Sequence, residues 1–244
     1  MKKKIIAILA SFCIVFCAFF CVDVEKVEAA PTGTMNVLCI GNSITQFNPI
    51  PNMWWGNWGC AATTVNTDYA HLLQSYLSQR YKNVSVTPVY FAPWEKDVMN
   101  RAAYCPALDG LLALHPNVIV IELGENCAWL GNFAYDYLYL INYCMWKDPG
   151  CKIILVGTIT TTWCDPSVEY YKQYVYNLCK YAGYKNVSYV DTSPVYNNPA
   201  YWAWIGEPVA GLDGQWHTIT DISIALHPND WCMQYLATEI NKKI

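Results

Sequence analysis

The feature that most constrains this chain is an alternation of short apolar runs with stretches of helical periodicity. Strands are expected near residues 36–40, 84–90, 117–123, 152–157 and 187–190. Several are unbroken β-branched or apolar runs, as expected of strands covered on both faces rather than one. Helices are expected near residues 68–81, 98–114, 134–146, 167–181 and 230–242. The order βαβαβαβαβ followed by a last helix implies a parallel sheet with helices on both faces. Such sheets bind ligands beyond the carboxyl ends of their strands, so chemistry is sought just after each run.

The N-terminus reads as an export signal. Lys2, Lys3 and Lys4 precede an apolar run over 5–22, and a short polar stretch ends in Val27-Glu28-Ala29-Ala30. Residues 1–29 are expected to be a signal peptide and residues 30–244 one domain. The run is nearly long enough to span a bilayer, so an uncleaved anchor is the alternative. Cys17 and Cys21 lack the small residues that precede a lipidated cysteine.

The whole chain has a net charge of −4, and loss of the leader makes it more negative. This opposes a nucleic-acid partner or a membrane surface beyond the possible anchor, since both favour a basic face. Charged residues are 14% and hydrophobic residues 54%, which opposes disorder. Twelve cysteines occur, and the number beyond the leader is odd, so at least one stays unpaired within the chain. No C-x-x-C pair suggests a zinc ribbon or a thioredoxin-type site.

The first strand ends in Gly41-Asn42-Ser43, which puts a serine at the ligand-binding edge. Serine is also a common turn and cap residue, so Ser43 alone carries either reading. The third strand ends in Gly124-Glu125-Asn126, where an Asn side chain can donate to an oxyanion or simply form an Asx turn. A serine nucleophile needs a base. His71 lies within a helical pattern, and His115 precedes the third strand at the opposite sheet edge, roughly 20 Å from Ser43. His217 and His227 follow the fifth strand. His227, before Pro228 and the last helix, is the better placed of the two. No Gly-x-Ser-x-Gly, Walker-type loop, dinucleotide glycine motif or His-Glu-x-x-His occurs, so neither cofactor nor metal is expected.

These three blocks, in this order, resemble those of the SGNH/GDSL hydrolases along essentially the whole mature chain. The resemblance implies a three-layer α/β/α sandwich with a five-stranded parallel, flavodoxin-like sheet and metal-independent ester hydrolysis. It casts Ser43 as nucleophile and His227 as base, with the Ser43 N–H and the Asn126 side chain in the oxyanion hole. Two positions depart from the family pattern. The acid usually three residues before the histidine is replaced by Ile224, so either Asp221 orients His227 through a longer loop, or a backbone carbonyl does so and the site is a dyad. The glycine usually found after strand two is missing from Phe91-Ala92-Pro93-Trp94, which leaves Ala92 as the stand-in oxyanion donor.

Nine of eleven tryptophans fall after strand ends, at the edge that carries Ser43. They either pack loop cores or line a cleft for sugar rings and acyl groups. Trp55, Trp94, Trp129 and Trp204 are the substrate-binding candidates. With export, this favours an O-acetyl or other short acyl ester on carbohydrate. The alternatives are a lipid or short-chain acyl ester, or a catalytically impaired carbohydrate binder.

Overall fold

The computed structural model describes residues 32–244, and the expected leader over 1–29 lies outside them. Five strands form one sheet: β1 (Thr34–Gly41), β2 (Asn83–Tyr90), β3 (Val118–Glu122), β4 (Lys152–Val156) and β5 (Val187–Val190). Their order is β2-β1-β3-β4-β5 and every neighbouring pair is parallel. The chain therefore runs outward from β1 to β2 and then returns to the other side of β1. This makes the gap between β1 and β3 the topological switch point, where ligands of such sheets bind.

The continuous apolar runs follow from burial on both sides. Val37, Cys39, Val118, Val120, Ile154 and Val156 point into one core, while Leu38, Ile40, Ile119, Ile121, Ile153 and Leu155 point into the other. The edge strand β2 contains Pro88, whose missing N–H is tolerated at an edge.

The helices are α1 (Tyr69–Ser78), α2 (Ala92–Lys96), α3 (Arg101–Tyr104), α4 (Asp109–Leu112), α5 (Phe133–Lys147), α6 (Val168–Tyr181) and α7 (Asp230–Lys243). Leu73 and Leu77 of α1 join Met233, Leu236 and Ile240 of α7 on the first face. Phe133, Tyr137, Leu140, Ile141 and Cys144 of α5, at helical spacing, join Val168, Val175 and Cys179 of α6 on the second. The result is the expected α/β/α sandwich.

The fold departs from the sequence reading in three places. The helix expected over 98–114 is broken into α3, a 3-10 turn (Cys105–Leu108) and α4. Pro106 lacks the N–H, and its ring crowds the preceding turn. The short helix α2 and a hairpin of β6 (Pro208–Ala210) and β7 (Trp216–Thr218) were not anticipated. The hairpin's sequence signal is Asp213-Gly214, with Gly214 at φ 75°. All nine cysteines among the described residues are free and buried. No helix of the described residues is long and apolar enough to cross a membrane.

Candidate active site

The turn that carries Ser43 is built around Gly41. A Cβ there would lie 1.8 Å from Thr45 Oγ1 and 2.8 Å from the Glu122 carbonyl, so no larger residue fits. Beyond it the Thr45 and Gln46 N–H groups both donate to the Asn42 carbonyl at 3.1 Å, and Ile44 N–H donates to Asn42 Oδ1 at 2.9 Å. These bonds leave the Ser43 N–H outside the turn's own network, as an oxyanion donor needs to be.

His227 reaches this turn from the other end of the chain. Ser43 Oγ lies 2.8 Å from His227 Nε2. The preceding Leu226 takes the left-handed conformation at φ 57°, Pro228 bars a helix, and Asn229 caps α7 through the Cys232 N–H at 3.2 Å. The segment is pinned to residue 203: Leu226 N–H donates to the Ala203 carbonyl at 3.0 Å and Ala203 N–H to the His227 carbonyl at 2.9 Å.

The far nitrogen of the ring, Nδ1, is buried with no side-chain partner, and the backbone of Ile224 and Ser223 is what faces the ring. Three residues upstream, where an acid would sit, is the buried Ile224. Burial drives the imidazole pKa down to about 4, and the backbone of Ile224 and Ser223 opposes this only in part. The ring is therefore neutral at pH 7 and free to accept the Ser43 proton, but among the described residues no carboxylate pairs with the resulting cation. Its polarisable neighbour is Trp163, at 5.1 Å between ring centroids and tilted by 38°.

A buried carboxyl group organises the opposite wall. Glu95, on α2, accepts from Asn126 Nδ2 at 2.7 Å, from Asn42 Nδ2 at 3.2 Å and from the Gly124 N–H. Asn42 Nδ2 also donates to Glu125 Oε2 at 3.1 Å, and Glu125 Oε1 accepts from Ile159 N–H at 3.0 Å. An Asp at position 42 could not donate to these two carboxyl groups and would add charge beside them, which accounts for the amide here. Burial, with Glu125 second, pushes Glu95 up to about 7. Glu122 is raised for the same two reasons, in the same order.

Ser43, Asn126 and His227 line one pocket of about 230 Å³ with Phe47, Trp163 and Lys96. It opens at the switch point between β1 and β3. No family model and no curated protein matches the sequence. Solved structures match in fold. A protein assigned to the lipolytic G-D-S-L family from Desulfitobacterium hafniense DCB-2 superposes with TM-score 0.51 at 14% identity, over 85% of this chain and 98% of that one. The Clostridium thermocellum family 3 carbohydrate esterase gives 0.50 at 16%, over 86% and 94%. A family two carbohydrate esterase from Clostridium thermocellum, in complex with cellohexaose, gives 0.52 at 16%, over 88% of this chain and 65% of that one, just under two thirds of its length.

This chain has the SGNH/GDSL hydrolase fold.

Within that SGNH fold, Asp221 does not reach His227. Its carboxylate accepts from the Ser223 N–H at 2.7 Å and the Ser223 hydroxyl at 2.5 Å, closing a local turn instead. The site geometry is a Ser43–His227 dyad. Ala92 is the first residue of α2, buried and absent from the pocket wall; Tyr90 and Lys96 line the pocket from that segment.

Trp94 is a core residue rather than a substrate contact. It is fully buried against Phe133 at 6.0 Å and Tyr137 at 6.2 Å, under the Arg101 guanidinium. Trp129 and Trp204 are exposed but outside the pocket wall. Trp55 stacks on His217 at 4.3 Å in a neighbouring groove that shares Ile50 with the Ser43 pocket.

The other histidines lie apart. His71 pairs with the α1 cap Asp68, exposed His115 turns into β3 from the far edge, and His217 pairs with Asp213 at 3.0 Å. Sequence reasoning passed over Glu95, Glu125 and Trp163. Glu122 and Glu125 bracketing the apolar end of β3 were a legible signal, because buried acids need a reason.

Proposed function

We propose that this chain is an exported serine esterase that removes O-acetyl or other short acyl groups from carbohydrate. The observation that carries the reading is the 2.8 Å contact of Ser43 Oγ with His227 Nε2 at the switch point of an SGNH-fold sheet. Ser43 Oγ attacks the ester carbonyl while Nε2 takes its proton. The Ser43 N–H and the Asn126 amide hold the oxyanion, His227 returns the proton to the leaving alcohol, and water resolves the acyl-enzyme by the same route. Export rests on the N-terminal sequence alone.

Pocket size supports a short acyl group. At about 230 Å³ the pocket is below the roughly 300–1,000 Å³ that encloses drug-sized ligands. The adjoining groove, with Trp55, Pro51 and the exposed Leu212 on its wall, offers apolar faces to a sugar chain. The family two carbohydrate esterase of similar fold, bound to cellohexaose, supports the same substrate class.

The test is a panel of p-nitrophenyl acetate, butyrate and palmitate beside acetylated xylan, pectin and chitin fragments. The acetate is expected to exceed the palmitate in kcat/KM by about tenfold or more, because a chain longer than the pocket either leaves methylenes in water or takes the groove read as the sugar's. Acetate release is expected from at least one polysaccharide. Preference for palmitate would move the substrate to lipid. Ile224 and an Nδ1 with no side-chain partner favour a second reading, a chain that binds carbohydrate without turning it over. Polysaccharide affinity with no hydrolysis of any ester would establish it.

A further inference from the structure

The Asn126 amide is the one side-chain donor of the oxyanion hole, and it is not held by its own loop. Its Nδ2 is taken at 2.7 Å by a carboxyl group on a different element, Glu95 of α2. The same carboxyl group receives the Gly124 N–H that opens the Gly124-Glu125-Asn126 turn, and Asn42 Nδ2 from the residue before the nucleophile. One fully buried group thus ties together the carboxyl ends of β1, β2 and β3. Every one of these partners is a donor.

Resting on the esterase reading, we propose that Glu95 is the positioning residue of the oxyanion hole. By gripping one Nδ2–H of Asn126 and the N–H of Gly124, its carboxylate aims the other Nδ2–H into the Ser43 pocket. Asn42 belongs to the same device, because only an amide there can donate to Glu95 and Glu125 together.

The charges around Glu95 make the device sensitive to pH. Glu125 and Glu122 approach from the end of β3, and Tyr90 from β2. The Arg101 guanidinium of α3 reaches the Glu95 carbonyl at 3.4 Å, and the Cys127 thiol lies against the same carbonyl at 3.7 Å. Lys172 is buried beyond Gly124. Protonation of Glu95 puts an O–H among donors that offer it no acceptor, and the grip on Asn126 loosens. Glu95 lies near 7, so turnover is expected to rise with pH through 7 as the carboxylate forms.

The experiment is a double-mutant cycle of Glu95→Gln and Asn126→Ala on p-nitrophenyl acetate, with thermal melting to verify folding. Loss of one oxyanion donor typically costs about 10²–10³ in turnover, so Glu95→Gln is expected to lower kcat by about tenfold or more with little change in KM. In the Asn126→Ala background the same change is expected to cost less than about threefold, because the group it positions is gone. The pH inflection near 7 is expected to vanish in both single variants. Equal losses in the two backgrounds, or an inflection that survives Glu95→Gln, would make Glu95 a structural residue only. If Glu95→Gln fails to fold, the inflection decides alone: its loss in Asn126→Ala supports the assignment and its persistence there overturns it. Wild-type protein with no turnover overturns the esterase reading and this assignment together. An active wild type that fails the cycle overturns only the role of Glu95.

Discussion

Replacing Ser43 with alanine is expected to lower ester turnover by about 10⁴-fold or more, the scale seen when the nucleophile of a concerted serine-hydrolase site is removed. Three observations lead to that size. Ser43 Oγ is within hydrogen-bond reach of His227 Nε2. The ring is held neutral at pH 7 and can accept the proton. Ser43 and Asn126 line the same pocket, where the proposed mechanism has the Ser43 N–H and the Asn126 amide receive the oxyanion. Without Oγ no acyl-enzyme forms, and the remaining rate is that of water in a polar pocket. The measurement is the kcat of purified wild type and Ser43→Ala on p-nitrophenyl acetate, with melting curves to verify an unchanged fold. A loss below about tenfold would mean that the serine is not the nucleophile, since the residual catalysis of such sites lies orders of magnitude below the intact rate.

The second large effect is a gain. Ile224→Asp places a carboxyl group three residues before His227, where Nδ1 now has no side-chain partner. An anion there fixes the tautomer that presents Nε2 to Ser43 and stabilises the imidazolium of the transition state. Loss of the corresponding charge in a serine protease costs about 10⁴ in kcat, so a gain of about 10²-fold is expected even with imperfect geometry.

The sign of the pH effect follows from the same contact. His227 is now held down at about 4 by burial, so its own acid limb in kcat/KM is expected near pH 4, a second step below the Glu95 inflection near 7. A neighbouring carboxylate favours the charged ring, and the limb moves up toward or above the ordinary histidine value. Ile224 belongs to the core of the α1 and α7 face, so a lower melting temperature accompanies the gain. A folded Ile224→Asp with an unchanged rate and a limb still near 4 would show that Nδ1 is not where catalysis is short of charge.

The sequence and the structure agree where a single physical rule governs. Five apolar runs became five parallel strands because burial on both faces demands unbroken hydrophobicity, and the strands are the elements that such runs describe best. Ser43, Asn126 and His227 were legible because the βα order puts strand ends on one edge, and His115 was excluded by the same geometry.

The misreadings arose where tertiary contacts decide. Trp94 looked like a cleft residue from its place after β2, yet α2 turns it inward against Phe133 and Tyr137. Asp221 was the nearest acid in sequence, but Ser223 offers it two closer donors. Glu95 was invisible because its partners come from the ends of three different strands, and nothing local marks a glutamate after Trp94 as buried. The unusual Asn42 looked like an isolated departure, yet it donates to the Glu95 carboxyl group and to Glu125.

The central claim is that Ser43 is an activated nucleophile, and covalent labelling with a fluorophosphonate tests it most directly. An activated serine displaces fluoride from phosphorus and keeps the phosphonyl group on Oγ, which peptide mass mapping locates. The expected result is stoichiometric modification of Ser43 in the wild type and its loss in His227→Ala. A protein that stays unlabelled, or carries the label on a different residue, would contradict the account.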